Sequence, residues 1–285
     1  MSKPFYKFIS DDSPDLSVLK SICEGNIMFS RIPDLNDISE TFVLTDSDEI
    51  KETLSAIRKN GLDGNVTNAL TRQASFLRNF SPDLISAVLV ETAKEICSTP
   101  GIRPEDFVKR SIDKLPDMME KVNKVVQDEM GIFCVSERVN CFPMWAHYAD
   151  NAQGYAVEYA NLDEVFDGDE SGELNQLKKV EYYPKERLPL LLNPSDLSKM
   201  LYSKHEDWSY EHEYRVIRHL PVRPKQNKTA DRERYFFKVD PQKCISRIIV
   251  GWKCREKRFE EIKKVASQFS VRVVRAKVEK AEVVV

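Results

Sequence analysis

Apolar residues recur with two spacings that divide the chain into strand-like and helix-like segments. Short runs rich in aromatic and β-branched residues predict strands, in which alternate side chains face the same side of a sheet. Strands are predicted at Phe5–Ile9, Ile27–Ser30, Gly131–Ser136, Gly154–Tyr159, Lys179–Tyr183, Tyr210–Ile217, Tyr235–Val239, Ile245–Val250 and Val271–Ala276. Apolar residues three or four positions apart predict helices. Helices are predicted at Asp15–Glu24, Pro143–Tyr148, Asp196–Asp207 and Phe259–Phe269.

The segment from about residue 46 to residue 130 has helical spacing throughout. Pro82 and Pro104 each stand at the start of a helix, and Pro116 interrupts or restarts one. The chain closes with a strand, a helix and a strand, an order that predicts two parallel strands joined by a crossover. These patterns predict an α+β fold in a single domain over residues 1–285. Its mixed β-sheet core would carry a largely helical insertion or cap at about 46–130 and a C-terminal strand-helix-strand unit.

Composition narrows the class of protein. The formal net charge of −3 gives no general electrostatic attraction to nucleic acids or anionic membranes. No apolar run approaches the roughly 18–20 residues of a membrane-spanning helix, and the N-terminus lacks the apolar core of a signal peptide. We therefore expect a cytoplasmic protein that does not associate with membranes. The six cysteines contain no Cys-x-x-Cys pair, so unlinked thiols are expected, and only Cys141 is near a base, His147.

Two stretches combine aromatic, charged and apolar residues in a way that core packing does not require. The first is Met144–Asn151, which leads into the predicted strand Gly154–Tyr159, and the second is Trp208–Ile217. Carboxylates and arginines are rarely buried unless they are paired. These stretches therefore indicate a functional site.

The second stretch brings two carboxylates to one side of a predicted strand. Glu211, Glu213 and Arg215 would share one face, because strand side chains alternate. Repulsion between the carboxylates would raise the pKa of one of them unless Arg215 compensates. Two interpretations follow: a solvated ion-pair ladder of little energetic value, or a catalytic carboxylate with a second one that positions the substrate.

Further candidates come from the first stretch and from isolated polar residues. Trp145 and Tyr148 beside His147 would stack on a nicotinamide or adenine ring, or would anchor the helix to the sheet. Asn36 and Asp37 would form a turn or present polar groups to a ligand. The predicted helix before Trp208 carries Lys204, either as a phosphate ligand or as a surface residue.

Several common catalytic motifs are missing from the sequence. It contains no Gly-rich phosphate loop, no Gly-x-Ser-x-Gly, no His-Glu-x-x-His and no paired-Asp calcium loop. Hydrolases of the phosphate-loop type, serine hydrolases of the nucleophile-elbow type and zinc proteases of the His-Glu-x-x-His type are thereby excluded.

The order of the motifs resembles a bacterial family known as domain-of-unknown-function family 2971. The motifs that carry the resemblance are Tyr6–Phe8, Ile27–Ser30, Asn36-Asp37 with Glu40, Phe133–Ser136, Met144–Ala149, Gly154 with Val157-Glu158, Trp208–Arg215 and Ile248–Gly251. Three positions depart from the family pattern: Ile38-Ser39 replace Pro-Phe, and Ala146 replaces a Ser before the His. The resemblance implies an accessory or effector protein of bacterial conflict systems, such as phage defence or toxin action.

The first functional hypothesis is an ADP-ribosyltransferase-like enzyme that takes NAD as its substrate, for which the layout with a late Glu-x-Glu strand resembles that superfamily. Glu213 would hold a ribose hydroxyl and stabilise an oxocarbenium-like state, and Glu211 would orient the acceptor. Tyr148 would stack on nicotinamide, and Lys7 or Arg215 would bind phosphate. This hypothesis requires no metal.

Two hypotheses from other classes stay open. In a nuclease or phosphodiesterase, His147 would be the general base, Asp37 and Glu213 would bind a divalent ion, and Lys204 and Arg215 would hold phosphate. In a non-catalytic recognition module, the same aromatic and charged groups would bind a peptide or a nucleotide without turnover. The partner would accordingly be a small nucleotide ligand or a macromolecular acceptor.

Overall fold

The computed structural model describes residues 3–35, 124, 127–167, 175–184, 201–220 and 235–285. The predicted helical insertion at about 46–130 lies outside these ranges except for its last few residues. Asn36 and Asp37 also lie outside them.

The described residues form an α+β fold, as predicted. The strands are β1 (Phe5–Ile9), β2 (Asn26–Arg31), β3 (Met130–Ser136), β4 (Tyr155–Tyr159), β5 (Lys178–Lys179), β6 (Glu181–Tyr183), β7 (Ser203–His205), β8 (Glu213–His219), β9 (Tyr235–Lys238), β10 (Ile245–Val250), β11 (Arg272–Arg275), β12 (Lys277–Glu279) and β13 (Glu282–Val284). The α-helices are α1 (Ser17–Cys23), α2 (Phe142–Tyr148), α3 (Leu162–Val165), α4 (Pro241–Cys244) and α5 (Glu256–Ser267). Two 3-10 helices cover Ile32–Asp34 and Glu206–Glu211.

Within the described residues, the main sheet is mixed and contains nine strands. Its order is β11-β10-β4-β1-β3-β2-β9, and β8 pairs with β3 and carries β5. β10 and β11 are parallel and are connected through α5, which confirms the predicted C-terminal crossover unit. The pairs β12-β13 and β6-β7 form two small separate sheets.

The sheet divides at β3. Along one edge, β8 pairs with the whole length of β3. Along the other edge, β1 meets β3 at one end, where Tyr6 lies opposite Ser136, and β2 meets it at the other end, where Ser30 lies opposite Ile132. Among the described strands, none pairs with this edge between those two points. β1 and β2 therefore diverge from a common neighbour and leave a space beside the middle of β3.

Helices cover both faces of the sheet. On one face, α1 and α5 pack on a core that includes Phe133, Val157 and Ile248. On the other face, the α2 residues Met144 and Trp145 pack on a second core formed with residues of β1, β4 and β10. Burial of these apolar side chains is the main driving force for this arrangement.

Most predicted elements are confirmed to within three residues. α1 ends at Cys23, and Gly25 follows its C-cap with a φ of 89°, the left-handed conformation that favours glycine. In the predicted strand Lys179–Tyr183, Val180 separates β5 from β6, which pair with different strands. Its N–H donates to the carbonyl of Glu213 (2.9 Å).

Two predicted boundaries near the second polar stretch are wrong. The predicted helix Asp196–Asp207 contains the strand Ser203–His205 in its described part. The predicted strand Tyr210–Ile217 begins only at Glu213, because the preceding residues form a 3-10 helix and His212 adopts a left-handed conformation with φ of 45°. Histidine is among the residues that tolerate this conformation.

Two further predictions concern membrane-spanning segments and disulfides. Within the described ranges, no helix is long and apolar enough to cross a membrane. The described cysteines are Cys23, Cys134, Cys141, Cys244 and Cys254, and all are free thiols as predicted.

Candidate functional site

A cavity of about 200 Å³ opens where β1 and β2 diverge from β3. One wall carries charged residues from the segments around β7 and β8, and α2 contributes Met144 and Tyr148. The lining residues are Tyr6, Lys7, Phe8, Ser30, Asp34, Leu35, Cys134, Val135, Ser136, Met144, Tyr148, Lys204, Glu211 and Glu213. The cavity therefore draws on both polar stretches that the sequence singled out.

Local backbone geometry places Glu211 and Glu213 side by side. Glu211 is the last residue of a 3-10 helix, Glu213 is the first residue of β8, and the left-handed His212 joins them. The Ser136 hydroxyl on β3 donates to the carbonyl oxygen of Glu211 (2.6 Å) and fixes this corner. The backbone N–H of Glu213 donates to the hydroxyl oxygen of Tyr182 (2.9 Å).

Both carboxylates are almost fully buried and share one lysine. Glu211 is 3% exposed, Glu213 4% and Lys204 6%. Lys204 Nζ donates to Glu211 Oε2 (2.7 Å) and to Glu213 Oε2 (3.2 Å). The solvated ion-pair ladder, one of the two sequence interpretations, is therefore wrong, because these charges are withdrawn from water and must be paired.

Arg215 holds Glu213 in a bidentate ion pair. Its Nε donates to Oε1 of Glu213 (2.7 Å) and its Nη2 donates to Oε2 (3.0 Å), while Nη1 donates to the carbonyl oxygen of Leu201 (2.9 Å). Burial raises the pKa of Glu213, but the charges of Arg215 and Lys204 outweigh burial and hold that pKa well below its usual range. Glu213 therefore stays ionised at all ordinary pH values.

Glu211 has the opposite preference. Burial and the neighbouring charge of Glu213 raise its pKa to about 6, against the opposing effects of Lys204 and Tyr148. The Tyr148 hydroxyl donates to Glu211 Oε1 (2.6 Å). Two adjacent carboxyl groups with pKa values displaced in opposite directions are a common basis for acid and base roles in enzymes.

Other predicted site residues lie at the margin of this network or away from it. Arg215 is 1% exposed and lies behind Glu213, so it positions the carboxylate and offers no free surface to a phosphate. Trp145 is fully buried, and its ring packs edge-on against Phe8 of β1 (5.1 Å between centroids), so it anchors α2 to the sheet, while its Nε1 donates to the carbonyl oxygen of Val139 (2.7 Å). His147 is exposed and does not line the cavity.

Lys7 and Lys204 both line the cavity, but in different ways. The Lys7 ammonium lies 5.6 Å from the centroid of the Phe133 ring. Val157, the register partner of Lys7 on β4, belongs to the core beneath α1 and α5, on the face of the sheet opposite α2. Lys204 lies on a buried strand with its ammonium between two carboxylates and 4.8 Å from the Trp208 ring centroid, so it is not the helix-surface lysine of the alternative interpretation.

Sequence reasoning missed several residues of the site. Ser136 and Cys134 belong to a predicted strand and a family motif without a proposed role in the site, and their alternation along β3 is the signal that they share one face. Tyr182 lies in a predicted strand rich in tyrosine, and nothing in the local pattern marks it as a partner of Glu213. Asp34 follows Pro33 just after β2, and its position on the cavity depends on how that strand ends.

The described residues contain no group of three or more His, Cys, Asp or Glu side chains arranged to hold a metal ion. Around Glu213, the nearest charged groups are the cations of Lys204 and Arg215.

The variant Tyr148→Phe is expected to raise the pKa of Glu211 above about 6, because the lost hydroxyl stabilises the ionised carboxylate. The pKa of Glu211 in the folded protein lies above its ordinary value of 4.5. Glu211 therefore makes its full contribution to the free energy of unfolding below pH 4.5, and this contribution is lost as the pH rises through about 6. In Tyr148→Phe this loss extends to higher pH.

Carboxyl ¹³C NMR titration measures the pKa of Glu211 in the wild type and in the variant. Tyr183→Phe is the matched control because its hydroxyl bonds Glu181, and an unmoved pKa in Tyr148→Phe would contradict the assignment.

Comparisons with known proteins single out the same part of the chain. Residues 144–216 match the model of a family described as "Protein of unknown function (DUF2971)". No curated protein and no solved structure matches the chain. The matched segment runs from Met144 in α2 to Val216 in β8 and contains Tyr148, Lys204, Glu211, Glu213 and Arg215. The predicted resemblance to this family is therefore confirmed over the segment that builds the charged wall of the cavity.

Proposed function

We propose that the protein is an ADP-ribosyltransferase-like enzyme that uses NAD as its substrate and breaks the bond between nicotinamide and ribose. The observation that carries the proposal is the carboxylate pair Glu211 and Glu213 on one cavity wall. The two share Lys204 and have pKa values displaced in opposite directions.

Glu213 is suited to stabilise a developing positive charge. When the bond from ribose C1′ to the pyridinium nitrogen breaks, the electron pair leaves with nicotinamide and the sugar becomes an oxocarbenium-like cation. A fixed carboxylate in a buried site lowers the energy of such a state more than it would in water. Arg215 and Lys204 keep Glu213 ionised and fix its position, so no reorganisation is needed when the charge develops.

Glu211 is suited to receive a proton from the acceptor. A pKa of about 6 leaves most Glu211 side chains ionised at neutral pH yet close to the value at which proton transfer is efficient. The attacking water or acceptor hydroxyl would bond to C1′ and give its proton to Glu211. With water, the products are nicotinamide, ADP-ribose and a proton. Tyr148 lines the same cavity and would lie against the nicotinamide ring.

The resemblance to the family extends the proposal to a biological setting. We place the enzyme in the bacterial cytoplasm as an effector of defence or toxin action, including phage defence, that consumes NAD or modifies a macromolecular acceptor. Free thiols at all described cysteines agree with a reducing compartment.

The other two hypotheses draw less support. For the nuclease, His147 lies outside the cavity lining, and Asp37 lies outside the described residues. Metal-dependent degradation of RNA or DNA that His147→Ala abolishes would favour it. For the recognition module, the same cavity would bind a nucleotide that is recovered intact.

Purified protein incubated with NAD is expected to release nicotinamide and ADP-ribose or an ADP-ribosylated acceptor, detected by mass spectrometry. Glu211→Gln removes the proton acceptor and is expected to lower the rate by roughly 10²–10⁴-fold. Glu206 is an exposed carboxylate in the same 3-10 helix, so Glu206→Gln is the matched control. It is expected to keep the wild-type rate. Intact NAD after prolonged incubation with the wild type, with and without candidate acceptors, would overturn the proposal.

A further inference from the structure

The cavity has a buried end and an exposed end. Lys204, Glu211 and Glu213 form the buried end, opposite Ser136 on β3. The other end is formed by Ser30, near the end of β2, and by Asp34 and Leu35, which follow that strand. Asp34 is exposed there. Ser30 marks this end opposite Ile132 on β3. The two ends lie beside Ser136 and Ile132, which are four residues apart on the extended strand β3. This spacing corresponds to about 13 Å along the strand.

Asp34 differs in its bonding from the two glutamates at the buried end. Among the residues that the structure describes, none forms an ion pair or a hydrogen bond with the Asp34 side chain, whereas Glu211 and Glu213 share Lys204. An unpaired carboxylate in a cavity wall is an acceptor with capacity for several hydrogen bonds.

The backbone holds Asp34 firmly at this position. It ends the short 3-10 helix Ile32–Asp34, in which Pro33 restricts the backbone and Ile32 is 1% exposed. The N–H of Leu35 donates to the carbonyl oxygen of Ile32 (3.1 Å) and closes the turn. An acceptor presented from an anchored turn loses little conformational freedom when a ligand binds.

We infer that Asp34 binds the vicinal hydroxyl groups of the second ribose of the dinucleotide and selects NAD over its 2′-phosphorylated form. This inference rests on the proposed function, which puts the nicotinamide ribose at Glu213. The second ribose lies beyond the pyrophosphate and carries a hydroxyl pair toward the open end of the cavity. A carboxylate accepts hydrogen bonds from both hydroxyls, whereas a 2′-phosphate removes one donor and brings negative charge against the carboxylate.

Kinetic discrimination between NAD and NADP tests the inference. The wild type is expected to prefer NAD by roughly 100-fold in kcat/KM, and Asp34→Asn to lower the ratio to about 10-fold or less, because the repulsive charge is lost. Asp12→Asn, at an exposed carboxylate outside the cavity lining, is the matched control and is expected to keep the wild-type ratio. Equal turnover of NAD and NADP by the wild type overturns the role of Asp34 and leaves the proposed reaction intact.

A binding experiment separates failure of the inference from failure of the chemistry. Calorimetric titration of the folded protein with ADP-ribose and with its 2′-phosphate requires no turnover. A preference for ADP-ribose that Asp34→Asn reduces about 10-fold supports the inference even if NAD is not cleaved. Equal affinities for the two ligands, or no binding of either, overturn it. Thermal unfolding of Asp34→Asn close to that of the wild type is expected, because the side chain is exposed.

Discussion

Glu213→Gln is expected to abolish NAD cleavage and to lower the free energy of unfolding at pH 7 by about 3–5 kcal/mol. The substitution preserves the shape of the side chain but removes its charge. Arg215 and Lys204 would then lie in a buried site with only Glu211 to balance them. Urea unfolding measures the change in stability, and mass spectrometry of the NAD reaction measures the change in activity.

The pH dependence of this loss has a defined sign. The pKa of Glu213 in the folded protein lies below its ordinary value of 4.5, so its contribution to stability is complete above 4.5 and is lost as the pH falls below it. The difference in stability between the wild type and Glu213→Gln should therefore narrow in acid. A difference that stays constant down to acidic pH would contradict the assignment of Glu213 as an ionised, paired group.

A double variant separates the structural role of Glu213 from its proposed chemical role. Glu213→Gln combined with Arg215→Met removes the unmatched positive charge along with the negative one, and replacing both members of a buried ion pair is often nearly neutral for stability. The double variant is expected to regain part of the stability but none of the activity. Recovery of activity together with stability would reduce Glu213 to a structural partner of Arg215.

Elements with a strong apolar pattern could be predicted from the sequence because burial alone determines them. β1, β4 and β10 are short apolar runs with a strand on either side in the sheet, and α5 has one apolar face against it. The strand Lys179–Tyr183 was only half correct, because its pattern fits a strand at every position. The break at Val180 depends on two different pairing partners, β8 and β7, which the local sequence does not encode.

The candidate site was predicted in its residue types but not in its geometry. Alternation of side chains along a strand predicts Glu211 and Glu213 on one face of a continuous strand. In the structure they are neighbours because a 3-10 helix ends at Glu211 and His212 turns the chain through a left-handed conformation. Alternation along a strand and a turn of this kind both bring residues i and i+2 to the same side. The predicted proximity of the two glutamates is therefore correct, although the predicted continuous strand is wrong.

Lys204 shows why the ion-pair partners of a site residue are harder to predict from the sequence than the residue types of the site. Its sequence neighbours indicated a helix surface, where a lysine is solvated. β7 instead pairs with β6, with Lys204 opposite Tyr182, and turns the ammonium group into the carboxylate pair. The charge balance of the site therefore depends on a long-range pairing of two three-residue strands, a contact without local signal.

Lys204→Met is expected to lower the free energy of unfolding at pH 7 by about 3–5 kcal/mol, because it leaves two buried carboxylates with one guanidinium. Loss of the shared cation also raises the pKa of Glu211 further above its usual value, since Lys204 is the largest effect that now lowers it. Below the ordinary pKa of 4.5 Glu211 is protonated in both the folded and the unfolded chain, so the added penalty of its ionisation is absent there. The destabilisation should consequently grow as the pH rises from that value through neutrality, which urea unfolding at several pH values would reveal.

The double variant Lys204→Met/Glu211→Gln decides whether charge imbalance or lost packing causes the effect. Removing the carboxylate that Lys204 neutralises leaves Glu213 with its bidentate partner Arg215, so the site is again balanced. The double variant should be more stable at pH 7 than Lys204→Met alone, and its stability should vary less with pH between about 5 and 8, a range in which few other carboxylates titrate. If the two single losses simply add, the ammonium group is not the shared counter-ion of the pair. The opposed pKa displacements on which the proposed acid and base roles depend would then need another source.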